Sequence, residues 1–265
     1  MFSKILRKML ALLCLTPLFL VPRASAITYG VPDGGDHPNV GAFIVEDDAG
    51  NRDIWCTGTL ISPTVFLTAS HCTIEPETNG WRVFVTFDTK FTSSSRLYEG
   101  TPHTNPNYNR SQSDPGDIAV VTFASPIRGI TPAALPSAGL FDRMKADHTL
   151  NGTKFTAVGY GVHEATVGGG PHTFPFTNDR WRSVSDFNAL NQAWLRLSQN
   201  DATGNGGTCY GDSGGPNFLG SGANETSIIA ALTVTGDRFC NSTNVDYRLD
   251  TAPARAFLGQ FVTLP

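Results

Sequence analysis

Apolar residues fall in short runs along the chain, at positions 40–45, 57–61, 65–68, 81–87, 118–123, 154–158, 228–234 and 247–249. The runs are rich in β-branched and aromatic side chains and are bounded by Gly, Pro, Asn, Asp and Ser, which is how the strands of sandwiches and barrels read. Only 253–261 has helical character of appreciable length, with Thr251 placed to cap its start and Gly259 weakening its end. The pattern predicts an all-β fold with a short C-terminal helix at about 252–262. The strand runs form two groups of similar size, parted by a proline-spaced connector at 125–137, and no repeat with a period of 20–50 residues is visible. A Gly-rich stretch at 161–170, continued by 171–179, reads as a surface loop.

The longest apolar run, 9–21, has 13 residues, too few to span a bilayer. Lys4, Arg7 and Lys8 precede it and Ala24-Ser25-Ala26 follows, so residues 1–26 read as a secretory signal peptide. Its removal takes four cations and no anion, leaving 239 residues and moving the formal charge from −4 to −8. An acidic chain of this kind argues against a nucleic-acid partner, and no membrane association is expected once the signal is gone. The protein is then expected outside the cell or in a periplasm, as a monomer. Cys14 leaves with the signal, and Cys56, Cys72, Cys209 and Cys240 form an even set that export favours as two disulfides, with three possible connectivities.

Three segments carry chemistry. Thr68-Ala69-Ser70-His71-Cys72 follows an apolar run, Asp117 opens another, and Gly211-Asp212-Ser213-Gly214-Gly215-Pro216 forms a Gly-rich turn after Cys209. A serine hydroxyl is a weak nucleophile at neutral pH and needs a base, and the base needs a partner that fixes its tautomer. Ser213, His71 and Asp117 match those roles. Glycine beside the serine lets backbone N–H groups approach an oxyanion closely, and Gly211 and Ser213 are the candidate donors. Asp114 competes as the acid, but Asp114-Pro115-Gly116 reads as a turn, whereas Asp117 leads directly into an apolar run. His37, His103, His148, His163 and His172 show no metal-ligand spacing and read as surface or loop residues. Glu75 and Glu77 make an incomplete shell for calcium, so neither a metal nor another cofactor is expected.

In the order His, Asp, Ser, 46 and 96 residues apart, the chain from Ile27 to about Phe261 resembles the trypsin/chymotrypsin-like serine endopeptidases. Ile27-Thr28-Tyr29-Gly30, Asn107-Tyr108-Asn109 and Gly159-Tyr160-Gly161 add to the likeness. The resemblance implies two packed six-stranded antiparallel β-barrels, about 27–137 and 138–250, with the triad in the cleft between them. It pairs Cys56 with Cys72 and Cys209 with Cys240. It leaves 187–199 without a disulfide common in the family, to be held by apolar packing with Trp194 and Leu197 as candidates. It also implies polypeptide substrates, and a protein inhibitor is a compatible partner.

The same likeness puts Gly207 at the floor of the primary specificity (S1) pocket, with Thr208 beside it, Gly236 at the mouth and Val245 narrowing the slot. Gly207 has no carboxylate to neutralise a buried cation, and Asp237 and Asp246 fall on the rim or outside, so small to medium apolar residues are expected before the scissile bond. Val234 stands where many relatives have a serine bonded to the triad aspartate. Either Thr233 or Thr235 substitutes, or Asp117 is less supported. Asp212, next to the nucleophile, is implied to pair with the α-amine of Ile27, which cleavage after Ala26 would free. The alternative to an enzyme is a catalytically silent binding protein on the same fold.

Overall fold

The computed structural model describes residues 27–109, 113–162 and 175–265. The signal-like segment and most of the loop around 163–174, with His163 and His172, lie outside the described residues. The chain begins with β1 (Val31–Pro32) and then closes a barrel from β2 (Val40–Glu46), β3 (Arg52–Ser62), β4 (Val65–Thr68), β5 (Arg82–Thr86), β6 (Tyr98–Thr104) and β7 (Ala119–Thr122). Their order around the barrel is β2-β3-β4-β7-β6-β5, and every neighbouring pair is antiparallel. Helix α1 (Ser70–Asn79) sits between β4 and β5.

After α2 (Leu140–Ala146), the second half supplies β8 (Lys154–Gly159), β9 (Trp181–Leu190), β10 (Trp194–Ser198), β11 (Pro216–Leu219), β12 (Ile229–Gly236) and β13 (Thr243–Arg248). They run β9-β10-β13-β12-β11-β8, and the pairing of β8 with β9 closes a second six-stranded barrel. Strand β1 is added to the outside of β9, so the N-terminal segment joins the second barrel although it precedes the first in sequence. The chain ends in α3 (Ala252–Leu258), capped by the Thr251 hydroxyl and shorter than the sequence pattern suggests. Phe261 and Val262 still pack back onto the core beyond it.

The uninterrupted apolar runs have a physical reason, since strands buried on both faces do not alternate. In β2, Phe43 and Val45 point into the first barrel with Leu60, Phe66, Val83, Val85 and Val121. Val40, Ala42 and Ile44 point the other way and join Leu67, Val120, Val158, Tyr160, Phe218, Leu232 and Tyr247 between the barrels, where Phe257 and Leu258 of α3 also pack. Full burial of each such side chain is worth about 1.5–3 kcal/mol, so the barrel contact is as firmly held as either interior.

Helix α1 is a departure from the expected β and loop structure. It contains Pro76 and little apolar periodicity, so local signals for it are weak. Tertiary bonds hold it: Cys72 is tied to Cys56, and the Ser70 hydroxyl donates to Ile118 O at 2.7 Å.

Candidate active site

The first turn of α1 and the segment entering β7 meet through Ser70 and Asn105. Ser70 reaches Ile118, Asn105 N donates to Ser70 Oγ at 3.2 Å, and Asn105 Nδ2 donates to Gly116 O at 3.0 Å. This brings His71 and Asp117 together although they are 46 residues apart. The Asp117 carboxylate accepts from His71 N at Oδ1, 2.9 Å, and bonds Nδ1 of the same ring at Oδ2, 2.8 Å. With Nδ1 donating to a carboxylate, Nε2 is left as the basic nitrogen. Asp114 has other partners: its Oδ1 accepts from the Tyr247 hydroxyl at 2.9 Å and from Gly116 N at 3.1 Å. Of the two acids that compete in sequence, Asp117 faces the histidine.

Ser213 comes to the same place from the other barrel. Thr57 N donates to Ser213 O at 2.9 Å, and the Thr57 hydroxyl donates to Gly211 O at 3.0 Å while accepting from Tyr160 N. Gly214, at φ +74°, lies so close to Thr68 and Ala69 that a Cβ there would strike both. Gly211 has φ +95°, a conformation suited to glycine. Among the described residues, neither Gly211 N–H nor Ser213 N–H donates to a protein acceptor, so two donors stand unused beside the serine. Thr57 was not legible as a site residue, because a threonine inside a strand run carries no motif.

Asp212 is fully buried; its carboxylate accepts from Gly161 N at 2.8 Å and Cys209 N at 2.9 Å. A Cβ on Gly159 or Gly161 would collide with that carboxylate, which gives the Gly-Tyr-Gly motif a steric purpose. Burial pushes the Asp212 pKa up to about 7, against the pull of the two N–H bonds. Ile27 is also fully buried and packs against Trp181, while Thr28 bridges Gly207.

The two disulfides join Cys56 to Cys72 and Cys209 to Cys240. Beside Ser213, a cavity of about 160 Å³ is lined by Thr208, Val234, Thr235, Gly236, Asp237 and both cysteines of the second bridge. Partial burial raises the Asp237 pKa, but N–H bonds from Thr243, Ser242, Asn241 and Phe239 hold it below the usual range. Gly207 is outside this lining: Gln199 lies over it and donates Nε2 to Thr208 O at 2.9 Å. Val245 is outside it too, because its side chain faces a neighbouring cleft of about 630 Å³ that also contains His71, Asp117, Tyr108, Trp194 and Arg196. Val234 and Thr235 line both spaces.

Behind the pocket lies a polar network that the strand pattern did not reveal. Thr208 Oγ1 donates to Asn244 Oδ1 at 2.6 Å, Asn244 to Asn217 at 3.3 Å, and Asn217 Nδ2 to Asp246 Oδ1 at 2.9 Å and to Thr233 Oγ1 at 3.1 Å. Asp246 is fully buried, and burial drives its pKa well above the carboxylate range although Asn217, Thr233 and Asn244 oppose this. Among the described residues neither Thr233 nor Thr235 bonds Asp117. The Thr233 hydroxyl belongs instead to the network behind the pocket.

His37 lies in the loop between β1 and β2, as its reading as a surface or loop residue allows, but it is buried, with Asp33 on Nδ1 and Glu225 at 2.6 Å on Nε2. Desolvation lowers its pKa, but the two carboxylates outweigh this and raise it to about 9. Arg180 adds a bond to Asp33 at 2.7 Å, so the segment after Ile27 is anchored by a buried ionic cluster. The register of β1 against β9 brings these groups together, which no local pattern announces.

Against known proteins, the family model described as Trypsin matches residues 33–252. The chain belongs to the trypsin family. It is 30% identical over 168 residues to the trypsin of Phaedon cochleariae, an alignment covering 61% of this chain and 63% of that relative's length. The trypsin-family match spans both barrels, and the paired cysteines suit an oxidising compartment. None of the described helices is long and apolar enough to cross a membrane.

Proposed function

We propose that the protein is a secreted serine endopeptidase acting by acyl transfer on polypeptides, working as a monomer outside the cell or in a periplasm and needing no cofactor. Ser213 attacks the carbonyl, His71 takes the proton at Nε2 and returns it to the leaving amine, and Asp117 holds the tautomer. The N–H groups of Gly211 and Ser213 receive the oxyanion. One observation carries this reading: a His71–Asp117 pair lies next to Cys72, whose Sγ is 3.9 Å from the Ser213 carbonyl, and the Gly211 and Ser213 N–H groups of that turn have no acceptor among the described residues.

For the residue before the scissile bond we propose small to medium apolar side chains. The 160 Å³ pocket is small, Gly207 offers no counter-charge, and the Asp237 carboxylate in the pocket lining is already engaged by four backbone N–H groups. Asp246 lies behind the pocket, bonded to Asn217 and outside the lining. Signal removal after Ala26 would free the Ile27 amine to pair with Asp212, supported by a buried carboxylate that has N–H bonds and no cation among the described residues.

The test is labelling by a serine-reactive phosphonate together with hydrolysis of apolar peptides. Both are expected from the protein starting at Ile27 and neither from the Ser213→Ala variant, and the labelled protein should no longer hydrolyse the peptides. Correctly folded protein that does neither would support the silent binding protein instead.

A further inference from the structure

Among the described residues, the cleft of about 630 Å³ that opens at His71 has one arginine or lysine in its wall, Arg196. Arg196 is exposed, and its guanidinium makes no hydrogen bond or ion pair with the described residues. The acids nearest that cleft are already engaged, Asp117 with His71 and Asp114 with Tyr247 and Gly116. Strand register explains how the guanidinium comes to lie there. Arg196 stands opposite Val245, and Val245 opposite Thr235, so the three form a row across β10, β13 and β12 on one face. Thr235 is small and also lines the pocket beside Ser213, so the row leads from the primary pocket to the arginine without a bulky side chain between.

We infer that Arg196 is a specificity-determining residue that binds an acidic side chain of the substrate, two to four positions before the scissile bond. The inference rests on the endopeptidase reading above. Neighbouring strands are about 4.8 Å apart, so two steps of the row cover about 10 Å, which an extended chain covers in about three residues. A planar guanidinium with no donor engaged by the described residues matches a carboxylate in a two-point bond. Trp194, stacked edge-on against Tyr247, gives the stem of such a side chain an apolar wall.

The experiment compares peptides that share a leucine before the scissile bond and differ at one upstream position, carrying Glu, Gln or Lys there. They are tested on the protein beginning at Ile27 and on its Arg196→Gln and Arg196→Glu variants. Glu is expected to exceed Gln by about 3- to 10-fold in kcat/KM, chiefly through KM and less at high salt. Arg196→Gln should remove the preference and Arg196→Glu should turn it toward Lys, while the Gln peptide is cleaved at similar rates by all three proteins. A flat profile in the unmodified protein, or an acid preference that survives both variants, would overturn the role of Arg196 alone. Failure to cleave any of the peptides would overturn the endopeptidase reading with it.

Discussion

The two barrels have six strands each but bury different chemistry. The first is filled by Phe43, Val45, Leu60, Phe66, Val83, Val85 and Val121 and carries its two site residues, His71 and Asp117, outside that core. The second has an apolar end, with Phe141, Phe155, Leu195 and Leu197, but toward the serine it buries Asn217, Asn244, Asp246 and Asp212. An apolar interior backs the His71–Asp117 pair. A polar interior with two buried carboxylates, Asp212 and Asp246, backs the pocket beside Ser213.

Substitution at the base should have the largest effect. His71→Ala should lower turnover by about 10⁶, with the His71→Ala/Ser213→Ala double variant scarcely worse, because the groups act as one unit. Single-turnover hydrolysis of a peptide ester checks this, and a residual rate above a hundredth of normal would remove His71 from the mechanism. The apolar interior is broken by Phe66→Ala, which should cost about 3–5 kcal/mol in urea unfolding. A markedly smaller loss would mean that the first barrel relaxes around the cavity.

In the second barrel, Asp212→Asn, or one extra residue before Ile27, should leave the fold intact and lower kcat/KM by roughly 10²–10³, the scale of a broken buried pair. The sign of the pH effect follows from burial. In the extended form the folded Asp212 pKa, about 7, lies above its ordinary value, so that form binds the proton more tightly when folded. Its stability relative to Asp212→Asn should therefore fall as pH rises from about 4 to about 7. The form beginning at Ile27 should lose less over the same range. Equal pH profiles for the two forms would argue against the ion pair.

The smallest effect is expected at Asp246. Because burial disfavours its charged form, Asp246→Asn should change stability by no more than about 1 kcal/mol, whereas Asp246→Ala should cost about 1–3 kcal/mol by removing the acceptor of the Asn217 amide. Thermal unfolding of the two variants at neutral pH separates these outcomes, and a severe loss in Asp246→Asn would mean that the residue is buried as an anion.

Much of the fold was legible because strand pattern, turn residues and spacing are local properties. The runs at 40–45, 65–68 and 118–123 all became strands or parts of them, and the family's two-barrel architecture follows from the motifs around His71, Asp117 and Ser213. Helix α1 was not legible, since contacts from Ser70 and Cys72 hold it rather than propensity. Val245 shows how register decides a role. Its place in the row between Arg196 of β10 and Thr235 of β12 sets it in the cleft with Trp194 and Arg196 rather than in the lining beside Ser213.

By itself, the sequence determined eight of the thirteen described strands, the even set of cysteines and the residue types needed for a nucleophile, a base and an acid, because each depends on neighbours a few positions away. Tertiary structure alone decided that Asp114 turns to Tyr247 while Asp117 meets His71, and that Gly159 and Gly161 make room for Asp212. It also decided that His37 is held between two acids and that Asp246 loses contact with water. A polar side chain in a strand reads the same whether it will face solvent or a buried partner. Which one it meets depends on register and on strands far away in the chain.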